Sequence, residues 1–225
     1  DISPSRLFEE TLKLFMSGKA LQTFELLRQH HLFGYLFPAT EKSLAEEDQG
    51  FPHMLVSKAL SNMDNRVAEG KSVTPAFLYA AFLWDPVRSL TERIQSEESM
   101  GIIPAMQQAG NRMVSAQAKN TSIPKRFSFP MRDIWNLQPR LNSITGGRPH
   151  KLITHPRFRA AYDFLLLRAE CGEATQTLAD WWTKFQEVTE EERTKMTSVK
   201  NSGGQRKRRP RRRKPSGIQS RTDHD

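Results

Sequence analysis

The amino-acid sequence predicts an all-α fold: an irregular array of helices that ends in a disordered, Arg/Lys-rich tail. Three observations predict it. Apolar residues recur at helical spacing through most of the chain. Prolines stand repeatedly at helix starts, where a missing N–H costs nothing, so all thirteen are compatible with a helical body. No alternating β-branched run of strand length occurs, and there is no internal repeat at a fixed period.

The elements follow in order. In "SPSRLFEETLKLFMSG", Ser3 can cap a helix, Pro4 suits its first turn, Glu9 and Glu10 lie near its positive end, and Gly18 stops it. Leu7, Thr11 and Leu14 share one stripe; Phe8, Leu12 and Phe15 share the next. "ALQTFELLRQHHLFGYLFP" gives a second helix with Leu21, Phe24 and Leu27 inward, closing at Gly34 and Pro38. "EKSLAEEDQG" reads as a polar connector. Thr74-Pro75 and Asp85-Pro86 both read as cap-then-proline helix starts. Residues Ala76–Trp84 are apolar all round, which predicts a central buried helix. Pro130 is expected to begin a new helix, and "GGRPHK" to be a loop. "HPRFRAAYDFLLLRAE" places Phe158, Ala161, Tyr162, Leu165, Leu166 and Ala169 on one face. "TQTLADWWTKFQEV" closes the folded part; Trp181 and Trp182 point about 100° apart, one into the core and the other partly out. The expected organisation is a helical neck over residues 1–40, a helical body over 41–195 and a tail without structure of its own over 196–225.

Charge is distributed unevenly. The 225 residues carry a net +9. From Lys200 to Asp225 there are ten basic and two acidic residues, a net +8, whereas the first 199 residues hold 24 basic and 23 acidic, a net +1. The excess culminates in "RKRRPRRRK", where Arg206, Lys207, Arg208, Arg209, Arg211, Arg212, Arg213 and Lys214 surround a single proline. Such a block repels itself, buries nothing, and attracts polyanions: nucleic acid or an acidic lipid surface. One cysteine, Cys171, excludes an intrachain disulfide and fits a reducing cytoplasm. No apolar run approaches the roughly 20 residues a membrane span needs, and the N-terminus lacks the pattern of a secretory signal.

Catalytic chemistry is hard to find. The adjacent acids at Glu9-Glu10, Glu46-Glu47-Asp48, Glu97-Glu98 and Glu190-Glu191-Glu192 read as solvated helix ends and loops, and no Asp-x-Asp pair exists to hold two metal ions. The six histidines form no zinc-protease motif, one cysteine cannot build a structural zinc site, and no Gly-rich phosphate loop occurs. No metal site and no cofactor is therefore assigned to this chain. His150 and His155 flank a helix start among basic residues, where phosphate contact competes with ordinary capping or packing. Cys171 has no activating context and reads as an inert thiol.

The basic residues are more informative. Between Lys125 and Arg159 lie Lys125, Arg126, Arg132, Arg140, Arg148, Lys151, Arg157 and Arg159 against one acid, Asp133. Phe127, Phe129, Trp135 and Phe158 are interleaved, with Trp135 and Phe158 expected in the core. Cations neutralise phosphates and exposed rings stack on bases. Lys125, Arg126, Arg132, Arg148, Lys151 and Arg157, with the eight tail cations, are thus the candidate RNA-binding residues.

Several segments also resemble a known family. "SPSRLFEETLKLFMSGKALQTFELLRQHHLFGYLFP", "TPAFLYAAFLW", "SIPKRFSFPMRDIWNLQPRL" and "RPHKLITHPRFRAAYDFLLLRAE" resemble bacterial poly(A) polymerases, sisters of the CCA-adding tRNA nucleotidyltransferases. The resemblance covers essentially the whole chain, including the Arg-rich end. It implies a modular enzyme that adds AMP from ATP to RNA 3′ ends. In that family a catalytic head carries a Gly-Ser loop and an Asp-x-Asp pair for two magnesium ions. Neither these nor the base-recognition motif that follows them is found in this sequence. The resemblance therefore implies no catalytic residue here, ATP and Mg²⁺ only for the full-length enzyme, and a chain inactive alone. On the matching neck segment, Arg6, Glu9 and Glu10 align with residues that brace the neck against the head. Implied partners are single-stranded RNA 3′ ends, the head domain and RNA-decay proteins. The competing reading is a non-enzymatic helical module whose basic tail binds proteins or anionic membrane.

Overall fold

The computed structural model describes residues 2–46 and 54–198. The Arg206–Lys214 block and the acids Glu47 and Asp48 lie outside the described residues. Within them are twelve helices and no strand: α1 (Pro4–Phe15), α2 (Ala20–Gln29), α3 (Phe33–Leu36), α4 (Pro38–Ala45), α5 (Met54–Ala68), α6 (Pro75–Glu98), α7 (Ile102–Gln117), α8 (Lys125–Leu141), α9 (Arg148–Ile153), α10 (Phe158–Glu170), α11 (Gln176–Glu187) and α12 (Glu190–Thr197).

Helix α1 starts as its sequence requires, with Ser3 Oγ accepting the Arg6 N–H at 3.4 Å. Phe8, Thr11 and Phe15 are buried, but Leu14 is 42% exposed, so the inward stripe is narrower than its apolar pattern. Helix α2 has no local cap. Asp64 of α5 supplies one across the fold: its two carboxylate oxygens accept the Ala20 and Leu21 N–H groups at 2.7 and 3.0 Å. The segment expected as a polar connector is in part helical, because Pro38 starts α4 and Glu41–Ala45 complete it. Arg28 holds α4 against α2 through a two-nitrogen grip on Glu41.

Helix α6 is the axis of the fold and packs against α4, α5, α7 and α8. It begins at Pro75, with Thr74 Oγ1 accepting the Phe77 N–H. Residues Leu78–Trp84 are buried on every side, as the apolar run requires. Asp85-Pro86, however, starts no helix; α6 runs straight through it. Pro86 cannot donate to the carbonyl of Phe82. Thr40 Oγ1 of α4 takes that place and donates to the Phe82 carbonyl at 2.7 Å, so the orphaned acceptor is satisfied from a neighbouring helix.

Pro130 likewise lies inside α8 rather than opening it; the helix begins at Lys125, after Pro124 as N-cap. Burial of Ser128, Met131, Ile134 and Trp135 on both sides of the proline outweighs one lost hydrogen bond. Trp135 is fully buried and donates its Nε1 proton to the Ala80 carbonyl of α6 at 3.1 Å. The supposed "GGRPHK" loop is only half a loop. Gly146, at φ +68°, makes the turn, and Arg148 onward coils into α9 with Pro149 in its first turn.

Two apolar clusters result. The first joins α1–α8 and contains a ring assembly of Phe15, Phe33, Phe37 and Phe82, so neck and body share it without a break at residue 40. The second joins the end of α8 to α9–α11. Helix α10 bridges them. Of its expected face, Phe158, Ala161, Tyr162 and Leu165 enter the second cluster, Leu166 packs against it and Ala169 is half-buried; Phe164 and Leu167 enter the first. A polar chain crosses the seam. Gln138 donates to the Ala161 carbonyl at 3.0 Å, Arg168 donates to Gln138 Oε1 at 3.2 Å and lies over the Trp84 ring, and Trp84 Nε1 donates to Glu173 at 2.7 Å. Burial pulls the Arg168 guanidinium below its ordinary pKa, against the opposing pull of Glu173.

Trp182 is buried and Trp181 half-buried, stacked on Phe185. After α11 a capping box of Thr189 and Glu192 starts α12, which runs to Thr197, beyond the 195/196 boundary expected for the tail. Thr197 is tied back: its carbonyl accepts the Gly146 N–H at 2.9 Å.

Candidate nucleic-acid interface

The cations between Lys125 and Arg159 are the candidate site, and α8 arranges the first of them. Its buried face fixes which residues point out. Lys125, Phe129, Arg132, Asn136 and Arg140 recur at i, i+4, i+7, i+11 and i+15, a stripe opposite Met131, Ile134, Trp135 and Leu137. Phe129 is 54% exposed, unusual for a large ring on a well-packed helix. The Arg132 guanidinium lies 4.9 Å from its centroid and also donates to the Asn111 side chain of α7. Arg126 similarly lies over Phe127, which packs inward on Phe8 of α1.

Charge pairing separates these cations from the others. Elsewhere more than half of the described cations meet an acid, among them Lys13 with Glu10, Lys58 with Glu170, Arg88 with Asp85 and Arg112 with Glu98, whereas Arg6, Lys19, Arg66, Arg93, Lys119, Lys184 and Lys195 form no ion pair among the described residues. Of the eight cations from Lys125 to Arg159, only Arg159 forms an ion pair among the described residues, with Asp163 at 3.0 Å. Lys125, Arg126, Arg140, Arg148, Lys151 and Arg157 are exposed and Arg132 half-buried. The structure therefore brings Lys125, Arg126 and Arg132 together on the first half of α8. Arg148 and Lys151 sit on α9 and Arg157 at the start of α10, beyond the far end of α8. About 15–25 Å of helix separates the groups, with Arg140 in between.

The histidines take the ordinary reading. His150 is held by Glu190 at 2.9 Å and Thr197 at 3.2 Å and meets the Phe185 ring edge-on; His155 Nδ1 accepts the Arg157 N–H. For Cys171, burial pushes the thiol up to about 11, aided by Glu173 and Glu170, which leaves it protonated and unreactive near neutrality. On α1, Arg6 and Glu9 are exposed, while Glu10 is bound to Lys13. Among the described residues no three His, Cys, Asp or Glu side chains converge as a metal site would require.

Tyr35 of α3 carries no charge or motif to announce it, yet it is 75% exposed beside Leu32, itself 49% exposed. The Tyr35 carbonyl accepts the Asn120 side-chain amide at 2.9 Å, which holds the Tyr35 backbone beside the loop that leads into Lys125. Fold, not local sequence, makes them neighbours.

Two family models match the chain. One, described as "Polymerase A arginine-rich C-terminus", covers residues 98–215, more than half of it. The other, described as "Probable RNA and SrmB- binding site of polymerase A", covers residues 1–44. Poly(A) polymerase I of Salmonella typhi is 38% identical over 217 residues, which are 95% of this chain and 47% of the relative. The Haemophilus influenzae protein of that name is 39% identical over 197 residues, 87% of this chain and 44% of the relative. That of Escherichia coli O157:H7 is 38% identical over 220 residues, 96% and 47%. The chain spans about half the length of the curated relatives it matches. With its all-helical architecture, its basic stripe and its Arg-rich end, the chain belongs to the poly(A) polymerase family and corresponds to that family's C-terminal part.

Proposed function

We propose that this chain is the RNA-holding part of a cytoplasmic poly(A) polymerase, an enzyme that adds AMP from ATP to RNA 3′ ends. One observation carries the reading: seven of the eight cations from Lys125 to Arg159 form no ion pair among the described residues, and an exposed phenylalanine is set among them. Free cations on a packed scaffold attract phosphates, and their contacts fix a strand without reading its bases. Phe129 and Tyr35 supply faces on which bases stack. The stripe on α8 begins beside the 1–44 segment, whose family description names RNA.

In this reading Lys125, Arg126 and Arg132 place the 3′ end, while Arg148, Lys151 and Arg157 hold the strand farther along. Arg6 and Glu9 brace α1 against a catalytic head. The family's ATP and magnesium chemistry is assigned to the part of the relatives that this chain does not match. The donor set described here does not fit a metal pair, and no catalytic step is placed on it. RNA-decay proteins, including the SrmB named for the 1–44 family, are candidate partners of the neck surface.

The test is a titration of single-stranded RNA and of anionic vesicles at several salt concentrations. RNA binding that weakens steeply with salt supports the reading. Strong vesicle binding with no RNA binding would sink it in favour of a membrane-bound helical module; no described helix is long and apolar enough to cross a membrane.

A further inference from the structure

A cavity of about 400 Å³ opens between α5, the start of α6 and one face of α10 along its length. That volume lies within the roughly 300–1,000 Å³ range of small-ligand pockets. Its floor is apolar, built from Met63, Phe77 and Leu167. Asn62 stands on its wall with a side-chain amide that makes no hydrogen bond among the described residues. Two of its cations, Arg66 and Arg157, form no ion pair there, although Arg66 is steadied by the Ser72 carbonyl at 3.2 Å. The acids at the rim are already engaged: Asp163 with Arg159 at 3.0 Å and Glu170 with Lys58 at 3.5 Å. The N-terminal turns of α6 and α10 open on the same space and add positive partial charge. An apolar floor, one idle amide and unbalanced positive charge at the mouth match a nucleobase with its phosphate.

We infer that this cavity takes one unstacked adenine nucleotide of the bound RNA, with its base on the Phe77–Met63 floor, its edge on Asn62 and its phosphate on Arg157 and Arg66. The inference rests on the RNA-holding reading above. An asparagine amide offers a donor and an acceptor side by side, the complement of the exocyclic amine and ring nitrogen on adenine's edge. Guanine presents two acceptors on the same edge, and a pyrimidine covers less of the floor. The ligand belongs to a strand rather than to free nucleotide because Arg157 follows Arg148 and Lys151, so the mouth lies on the basic run already assigned to phosphates.

The experiment measures binding of short oligo(A) and oligo(U) to the intact chain, to Asn62→Ala and to Arg157→Ala, with AMP as competitor. The intact chain should prefer oligo(A). Asn62→Ala should lose about tenfold in affinity for oligo(A) and nothing for oligo(U), Arg157→Ala should lose affinity for both, and AMP should displace oligo(A) only at far higher concentration. If Asn62→Ala binds both RNAs as the intact chain does, the pocket assignment falls while the RNA-holding reading stands. If the intact chain binds neither RNA, both fall. AMP binding as tight as oligo(A) would overturn the strand assignment. Should Asn62→Ala fail to fold, photo-crosslinking of azidoadenine-bearing oligo(A) to the intact chain decides: adducts on α5 or α10 support the site, and adducts only elsewhere overturn it.

Discussion

Tyr79 shows what a single buried residue costs and provides. It is fully buried near the start of α6, where its ring meets Phe8 and Phe37 and so joins neck to body. Its hydroxyl has no hydrogen-bond partner among the described residues. The Thr11 and Thr121 hydroxyls stand near it and pull its pKa down against burial, although Thr11 also donates to the Leu7 carbonyl at 2.7 Å and Thr121 also accepts from Gln117 at 2.7 Å. Burial pushes the phenol up to about 12. The folded state therefore keeps the proton that the unfolded chain gives up near pH 10. Stability from this term is complete below pH 10 and is lost as pH rises toward 12, by about 2–3 kcal/mol in all. A spectroscopic titration should show one tyrosine ionising near pH 12, and Tyr79→Phe should abolish that step. At neutral pH the same substitution should change stability by less than about 1 kcal/mol, because the hydroxyl it removes is unpaired.

At the scale of elements, the helices were legible and their breaks were not. Ser3-Pro4 and Thr74-Pro75 announce α1 and α6 because a cap and a first-turn proline are local chemistry. Asp85-Pro86 carries the same signal and is silent, because Thr40, over forty residues away in sequence, satisfies the carbonyl that Pro86 orphans. Nothing near position 86 encodes that rescue. Pro130 is absorbed into α8 by buried residues on both sides, again a tertiary cause. The α7–α8 contact depends on Gly110, where an added Cβ would stand 3.3 Å from Trp135 Cε3. Gly110→Leu should therefore destabilise by about 1–3 kcal/mol through overpacking, measured by denaturant unfolding. On the outer face of α8 the expectation reverses. Phe129→Ala should leave stability nearly unchanged and weaken single-stranded RNA binding by about 1–3 kcal/mol; a fall in stability with intact RNA binding would make Phe129 a packing residue.

The described residues form two apolar clusters joined by α10, and cations outnumber acids most strongly from Lys125 to Arg159 and in the Arg206–Lys214 block. The local excess of cations from Lys125 to Arg159 was legible as composition, since missing acids can be counted. Their arrangement was not: only the fold shows which face of α8 is left outward with Lys125, Phe129, Arg132 and Arg140, that the Tyr35 backbone is held beside the loop leading into α8, or that Asn62 and Arg157 line one cavity. The central claim is that the folded body holds RNA through these unpaired cations. Its most direct test is the salt dependence of RNA affinity for a chain ending at Ser198, which keeps every described helix and drops the Arg206–Lys214 block. Each phosphate neutralised on a single strand contributes about 0.7 to the slope, so if half of the seven free cations engage, the truncated chain should keep a slope of about 2–3. The eight tail cations should add roughly 2–4 in the intact chain. A truncated chain that stays folded but binds no RNA, or binds it with no salt dependence, would contradict the account and leave the tail as the only RNA-binding element.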